Sequence, residues 1–485
     1  MSKFQPKESF GVAEGSYRLL PFNFARFFNN SVVLSNMAGE YTLIPEQAFS
    51  DFISGTLHQD TDAYAKLLEA GFLVDDTSAL SLDLLAVKLR TKLSNISRFT
   101  SLHMIVVTLR CDHSCPYCQV SRQSEDKEKY DISPETAGKA VDLIFRSPSR
   151  DIKIEYQGGE PLLNFASVEF ITKYAVSLAS KHNKNVSFVI ATNLSRITDD
   201  MLQFCKEFDV SVSTSLDGPK DLHNLNRPMS GADSFERVAS GVDLTRRFLG
   251  RSSVSALMTT TEASLGRVKD IVDTYVEMGF PGIFLRPLSP YGFAIKTKTY
   301  SKYDTRRWLD FYDEGLEYIL QLNRLGVDFS EFYSSTILKK MLTPFSPGYV
   351  DLMSPAGIGI AAVVYNYNGN IYASDEGRMR AEMGDETFRL GNVHANSYDE
   401  IFTSDELLEP LERSFTGSVP MCSDCVYEPY CGAEPVYHHA TQGDFVGFKP
   451  LSGFCERNMH VIKRLMSIVE GGSADSRTLR RWSIR

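Results

Sequence analysis

No run of apolar residues in this chain approaches the ~20 that a helix needs to span a bilayer. The longest contender, 356–364, covers nine residues. The first ten residues, MSKFQPKESF, lack the apolar centre of a secretory signal. Basic residues are in the minority, 51 against 61 acidic ones, and a net charge of −10 argues against nucleic acid as the main partner. There is no repeat of fixed period and no low-complexity segment. These absences predict a cytoplasmic protein with neither a membrane nor a nucleic-acid partner. What is present is ordinary globular material: 485 residues, 43% hydrophobic and 23% charged. At roughly 150 residues per domain, about three domains are expected.

Cysteine is scarce, but its placement is informative. Of eight, three fall within eight residues (Cys111, Cys115, Cys118) and four lie near the C-terminus (Cys422, Cys425, Cys431, Cys455). Only Cys205 stands alone, on the apolar face of a predicted helix with Leu202 and Phe208, where it reads as core. A cytoplasmic chain rarely keeps disulfides, so such clusters point to metal or redox chemistry.

Residues 1–75 carry short β-like pieces, two helical stretches and a returning strand, and suggest a small winged-helix-like module. Apolar positions at helical spacing make 76–101 a linker helix. From residue 102 the pattern changes. Apolar runs at 104–109, 152–156, 186–191, 210–216, 254–258 and 283–285 alternate with amphipathic stretches. Buried strands joined by helices mean a parallel sheet, either open or an incomplete barrel over 102–330. In both folds ligands bind beyond the carboxyl ends of the strands. The conspicuous residues sit there: Cys111 after the first strand, Gly158-Gly159-Glu160 after the second, Asn193 after the third and Ser215-Leu216-Asp217-Gly218 at the fourth. The alternation stops near 345. Asn368-Gly369 between β-formers signals a hairpin within 345–470, and the basic tail 471–485 is expected to be mobile.

Cys111-Asp-His-Ser-Cys115-Pro-Tyr-Cys118 is a CxxxCxxC loop. Three thiolates there can hold three corners of a [4Fe–4S] cube and leave one iron open. Zinc, with His113 as a fourth ligand, is the competing reading. The loop, with Tyr117 before its last cysteine, resembles the radical S-adenosylmethionine (SAM) superfamily. Gly158-Gly159-Glu160 resembles that family's GGE motif, which meets the SAM amino group through backbone carbonyls and the acidic side chain. Asn193, Ser215, Asp217 and Arg227 are similar to the peptide-modifying branch, where a Ser and an Arg meet the SAM ribose and carboxylate. The resemblance implies an incomplete (β/α)6 barrel, with Cys111, Cys115 and Cys118 as cluster ligands and the catalytic centre. Tyr117, Gly158, Gly159, Glu160, Asn193, Ser215, Asp217 and Arg227 are then the SAM-binding residues.

Cys422-x2-Cys425-x5-Cys431, with Cys455 further on, looks like part of a SPASM domain, the C-terminal extension of radical SAM peptide maturases. A full SPASM has seven cysteines and two auxiliary clusters. This chain has Ser354, Ser374 or Asp375, and Pro435 where further ligands belong, so the resemblance implies one auxiliary [4Fe–4S] cluster held by Cys422, Cys425, Cys431 and Cys455. A zinc ribbon on the same four thiolates is the alternative. His438-His439 reads as surface or as support for the ligands. Asp375 and Glu376, beside the missing ligand, are candidates for taking a proton from substrate, or form a solvated turn.

Flanking residues of Cys111–Arg122, Phe284–Gly292 and Pro429–Pro435 look like the His-Xaa-Ser system radical SAM maturases. That implies a ribosomally made precursor peptide with a leader and His-Xaa-Ser repeats, a second radical SAM maturase, and an electron donor such as flavodoxin or ferredoxin. The N-terminal module is similar to elements that bind a leader by adding a strand; a structural cap is the other reading of it. The competing functions are a sulfatase-type formylglycine-generating maturase and a non-catalytic, zinc-bearing peptide-binding protein.

Overall fold

The computed structural model describes residues 17–76, 81–94, 96–231 and 233–484. Parts of the expected N-terminal module (1–16), of the linker (77–80 and 95) and the last residue of the tail lie outside them.

The N-terminal module contains β1 (Tyr17–Leu19), β2 (Asn23–Arg26), β3 (Ser31–Ser35), β4 (Tyr41–Pro45), helices Glu46–Ile53 and Asp62–Glu69, and β5 (Leu73–Asp75). β2, β3 and β4 form an antiparallel meander, while β1 pairs with β5 in a separate ribbon. The winged-helix-like expectation does not foresee this division. Pairing of the module's first and last strands is a non-local contact that no local pattern reports. β3 shows how the module is attached. Val32 and Leu34 point into the module's own core, and Val33, on the opposite face, enters the main core. Helix Ser81–Lys92 follows within the predicted linker.

Five parallel strands come next: β6 (Leu102–Thr108), β7 (Asp151–Gly158), β8 (Asn185–Thr192), β9 (Val210–Ser215) and β10 (Val254–Leu257). Connecting helices start where the sequence supplies caps. Ser133 Oγ accepts from Thr136 N at 3.1 Å ahead of Pro134, and Asp233 accepts from Glu236 N at 3.1 Å. Side chains alternate along β6. Ile105 and Val107 face the helices, while Met104 and Val106 face the concave side.

The sixth predicted strand departs from expectation. β11 (Gly282–Ile283) pairs with β12 (Ser330–Glu331) in its own two-stranded sheet instead of extending the row beyond β10. The large sheet grows from its other end. β13 (Ala362–Tyr365) lies parallel to β6, with Ala362 opposite Leu102, and β14 (Asn370–Tyr372) and β15 (Arg389–Asn392) complete eight strands in the order β10-β9-β8-β7-β6-β13-β14-β15. The predicted Asn368-Gly369 turn joins β13 to β14. Gly369 takes φ +85°, which suits glycine there.

The C-terminal segment is also corrected. The tail expected to be mobile contains helix Ala474–Trp482, docked on helices Gly453–Glu470 and Phe332–Leu342. Leu479 and Trp482, one helical turn apart, are 0% and 1% exposed. Two apolar side chains on one face of a basic helix suffice to dock it, and average charge conceals them. Among the described residues, no helix is long and apolar enough to cross a membrane.

Candidate active site

Beyond the carboxyl ends of β6 to β9 lies a cleft of about 230 Å³. Cys111, Cys115, Cys118 and Tyr117 line it from the loop after β6, Gly158 and Gly159 from the end of β7, Asn193 from the end of β8, and Ser215 from β9, with Arg227 opposite.

The entry to the cysteine loop is fixed by Arg110, whose guanidinium grips Asp131 through two 2.8 Å hydrogen bonds and donates to the Leu163 carbonyl. Inside the loop, Asp112 is a hub. Its carboxylate accepts from Ser195 Oγ (2.6 Å), Arg196 Nε (2.9 Å) and Asn193 Nδ2 (2.9 Å), and meets His113 Nδ1 at 2.9 Å. Although burial opposes it, these partners hold the carboxyl well below its ordinary range. His113 also reaches Ser234 Oγ through Nε2 at 2.8 Å. Both imidazole nitrogens are thus engaged, which counts against His113 as a fourth zinc ligand, although its ligand atom lies within 4.8 Å of those of Cys111 and Asp112.

The three thiols are half-buried and electrostatically coupled. Burial pushes Cys115 up to about 12, and burial with the Glu160 carboxylate raises Cys111 well above its usual value. Ionised thiolates therefore require a cation among them, as a metal cluster provides. Facing them is a floor that only glycine can make. A Cβ on Gly158 would lie 2.1 Å from the Thr108 carbonyl oxygen, and one on Gly159 2.2 Å from that of Arg110. Two further wall groups, Gln119 Nε2 and Thr214 Oγ1, are buried without a hydrogen-bond partner, so the cleft is fitted to a polar ligand. Three soft donors, a glycine floor and unmatched polar atoms fit a thiolate-bound cluster with a polar molecule beside it.

Two predicted contacts lie behind the cleft wall. Glu160 is 0% exposed, and its carboxylate accepts from Leu162 N (3.0 Å), Thr192 Oγ1 (2.6 Å) and Asn193 N (2.8 Å). Burial still pushes it up to about 7. The direct ligand contact expected of this side chain is replaced by a supporting one, because the turn after β7 aims it at the end of β8. Asp217, also 0% exposed, accepts from Tyr117 O–H at 2.5 Å and lies 3.1 Å from Arg227 Nε. The Arg227 guanidinium sits 5.5 Å from the Tyr117 ring centroid, so one buried carboxylate orients both an aromatic and a cation at the cleft.

Asp375 and Glu376 are not a solvated turn. They open helix Asp375–Ala381, capped by Ser374 Oγ on Gly377 N at 3.1 Å. Asp375 lines the cleft, paired with Arg378 at 3.1 Å, while Glu376 faces a neighbouring cavity. Arg286 lines both spaces and Asp112 organises the loop, yet the sequence reading gave neither a role. Arg286 follows the sixth predicted strand, and the strand-end rule that flagged its counterparts applies to it equally.

The late cysteines form a second group. Cys422, Cys425 and Cys431 lie on one loop, and Cys455 is in the first turn of helix Gly453–Glu470, where Ser452 Oγ accepts from its N–H at 3.2 Å. Each of the loop thiols is electrostatically coupled to Cys455, and burial pushes Cys425 up to about 11 and Cys431 up to about 12. Four soft donors from two elements fit a closed metal centre. His438 braces the serine that caps the helix of Cys455, with Nε2 2.8 Å from Ser452 Oγ and Nδ1 2.7 Å from the Glu434 carbonyl. Cys205 is fully buried in the core.

Residues 105–274 match the family model of the Radical SAM superfamily. A cysteine-type anaerobic sulfatase-maturating enzyme of Clostridium perfringens is 26% identical over 320 residues, 63% of this chain and 80% of that protein. The radical SAM cyclopropyl synthase TigE of Paramaledivibacter caminithermalis is 24% identical over 155 residues, 29% of this chain and 32% of that one. Among solved structures, native anSMEcpe with bound AdoMet superposes with a TM-score of 0.62 at 18% identity, covering 76% of this chain and 97% of that chain. Streptococcus suis SuiB bound to S-adenosylmethionine gives a TM-score of 0.53 at 14% identity, covering 90% and 100%. At these identities the structures establish a shared fold. With the cysteine loop at the end of β6 and the cleft it borders, the family match makes residues 105–274 of this chain a radical SAM superfamily domain.

Proposed function

We propose that this protein is a radical SAM enzyme that modifies a ribosomally made precursor peptide. The observation that carries the reading is the convergence of Cys111, Cys115 and Cys118 on a strand-end cleft opposite the Gly158-Gly159 floor. These thiolates would hold a [4Fe–4S] cluster, which supplies an electron and an open iron for cleaving SAM to a 5′-deoxyadenosyl radical. The chain's own residues do the rest. Backbone groups of Gly158 and Gly159 meet the SAM amino end, Asn193 and Ser215 border it, and Arg227 pairs with its carboxylate. Glu160 and Asp217 position those groups from behind. Asp375, which lines the cleft, would be the proton acceptor of the candidate pair Asp375 and Glu376. Cys422, Cys425, Cys431 and Cys455 would hold one auxiliary [4Fe–4S] cluster.

The N-terminal module would take the leader as an added strand, since the meander keeps edges at β2 and β4. A His-Xaa-Ser peptide, a partner maturase, a flavodoxin- or ferredoxin-like donor and a cytoplasmic setting complete this reading. The likeness to sulfatase-maturating enzymes favours one alternative, formylglycine formation. Against it, Ser354 and Ser374 stand where a second auxiliary cluster would need thiolates. Their hydroxyls accept from Thr416 N (3.0 Å) and Gly377 N (3.1 Å).

The test is anaerobic reconstitution. About eight irons and eight sulfides per chain are expected from two four-iron clusters. Changing Cys111, Cys115 and Cys118 together to Ala should halve the iron and abolish 5′-deoxyadenosine. Native protein carrying stoichiometric zinc and retaining no iron would refute the reading. Turnover of a His-Xaa-Ser peptide against a Cys-containing sulfatase peptide separates the two maturase assignments.

A further inference from the structure

Away from the SAM cleft, a groove of about 350 Å³ opens between helix Ser81–Lys92, helix Phe332–Leu342 and the loop of late cysteines. Its walls are mainly apolar, with Leu89, Leu352, Met353 and Phe415, and Cys431 borders it. Lys92, Lys340 and Glu428 bring charge into it.

Neither lysine is matched by an acid. Among the described residues, no carboxylate oxygen lies within 4.0 Å of either ammonium. Lys340, 5% exposed, donates instead to two carbonyl oxygens, that of Leu352 and, at 2.8 Å, that of Cys431. Lys92 Nζ donates to the carbonyl oxygen of Lys340, and the two ammoniums are close enough to repel each other. Glu428 and Glu40 act on them only from a distance. Burial pushes both lysines down to about 8, which still leaves them protonated at pH 7. Buried cations without paired anions are costly unless negative charge lies close by.

That charge is next to the groove, at Cys431, whose thiol is electrostatically coupled to Lys340. Uncharged thiols would not supply it. Four thiolates around a metal core carry a net negative charge, and a reducing electron adds to it. A lysine that only stapled the Leu352 and Cys431 carbonyls would explain Lys340 alone. Lys92 makes no hydrogen bond to the cysteine loop among the described residues, and it adds charge without adding a staple.

We propose that Lys340, with Lys92 beside it, sets the reduction potential of the centre at Cys422, Cys425, Cys431 and Cys455 and favours its reduced state. The inference rests on the reading of those cysteines as ligands of an auxiliary four-iron cluster. Cluster potentials respond to net charge and to solvent exposure, and a cation in a water-poor setting is weakly screened. An electron entering the centre is attracted by both ammoniums. Lys340 is a positioning residue in this sense, acting through the charge it holds at a ligand. Neither lysine lines the SAM cleft, so the centre at Cys111, Cys115 and Cys118 is the internal control.

The test is a redox titration of cluster-loaded, full-length protein at pH 7, followed by electron paramagnetic resonance. The same titration on protein carrying Cys111→Ala, Cys115→Ala and Cys118→Ala identifies the auxiliary signal. Lys340→Met, close in size but uncharged, should make reduction of the auxiliary centre about tenfold less favourable, a midpoint lower by about 59 mV for one electron. Lys92→Met should shift it in the same direction by less, and Lys340→Arg, which keeps the charge, should stay near the natural value. The midpoint of the other centre should not move in any of them. Unchanged midpoints in both Met variants, or equal shifts at both centres, would overturn the proposal. A fall with Lys340→Met that Lys340→Arg fails to restore would mark the lysine as a staple and overturn it too. If Lys340→Met loses its cluster, the Lys92→Met midpoint decides alone. Zinc at the four cysteines, or no second signal in the natural protein, would instead overturn the auxiliary-cluster reading. An intact second cluster indifferent to both lysines would condemn this proposal alone.

Discussion

The side-chain amide of Asn23 donates to the backbone carbonyl of Cys425, 3.2 Å away across 402 positions of sequence. It also reaches Ser423 O at 3.0 Å, while Ser35 Oγ donates to Val426 O at 2.7 Å and Tyr430 O–H to Gly39 O at 3.1 Å. The N-terminal module therefore clasps the loop of late cysteines. Each neutral bond contributes about 1 kcal/mol. The double variant Asn23→Ala, Ser35→Ala should release the auxiliary iron proposed for Cys422, Cys425, Cys431 and Cys455 to a chelator about tenfold faster. Iron held by Cys111, Cys115 and Cys118 should leave at its normal rate. Equal release from both centres would show that the clasp is incidental.

Arg227 and Asp217 act as one unit with Tyr117. Arg227→Ala should weaken SAM binding by about tenfold to a hundredfold and leave iron content intact. Asp217→Asn keeps the cation but loosens its aim, so a smaller loss in the same direction is expected. Equilibrium dialysis with labelled SAM distinguishes them, and unchanged affinity in both would show that SAM sits elsewhere.

Glu160 supports the cleft by accepting from Thr192 and Asn193. Glu160→Gln retains an acceptor and the shape, whereas Glu160→Ala strands three donors in a dry site. The Ala variant should lose SAM affinity and thermal stability together, and the Gln variant should recover most of both. A direct contact with the SAM ammonium would make the two variants equally poor binders at unaltered stability.

His103 on β6 is fully buried, with Nε2 3.1 Å from the Thr100 carbonyl oxygen. Burial pushes its pKa down from 6.5 to about 3. The folded state keeps it neutral while the unfolded state takes up a proton below pH 6.5. Stability is fully present above pH 6.5 and is lost as pH falls toward 3, by at most about 1.4 kcal/mol per pH unit for one proton. Denaturant midpoints between pH 7 and 5 should fall more steeply for the natural protein than for His103→Gln. Parallel slopes would contradict the assignment.

Removing residues 474–485 should expose the groove that Leu479 and Trp482 fill. Loss of a buried Trp side chain costs about 3–5 kcal/mol, so Trp482→Ala alone should lower the melting temperature clearly. A truncated protein that melts unchanged would mean that the docked helix adds no stability.

The parallel strands, the connecting helices and the two cysteine groups were legible because each is written locally, as an apolar run, a capped amphipathic stretch or a tight spacing. What escaped is non-local. β13 joins β6 from more than 250 positions away, and β1 seeks β5 across the whole module. Glu160 looked like a ligand because its motif marks a position after a strand; only the turn after β7 decides where a side chain there points. The tail misled through averaging, since its basic charge outweighed the two residues that dock it.

The seam between β6 and β13 bears on how this protein can be divided. β6 carries the first cysteine loop at its end, and β13 belongs to the segment that carries the other four cysteines. A fragment ending near residue 345 would leave the outer amides of β6 without partners, a bare edge inviting self-association. The strand that carries the first cysteine loop and a strand of the segment that carries the other four are therefore hydrogen-bonded neighbours in one sheet, and the two halves should melt in a single step, so that exchanging the C-terminal half between relatives amounts to replacing three strands of that sheet.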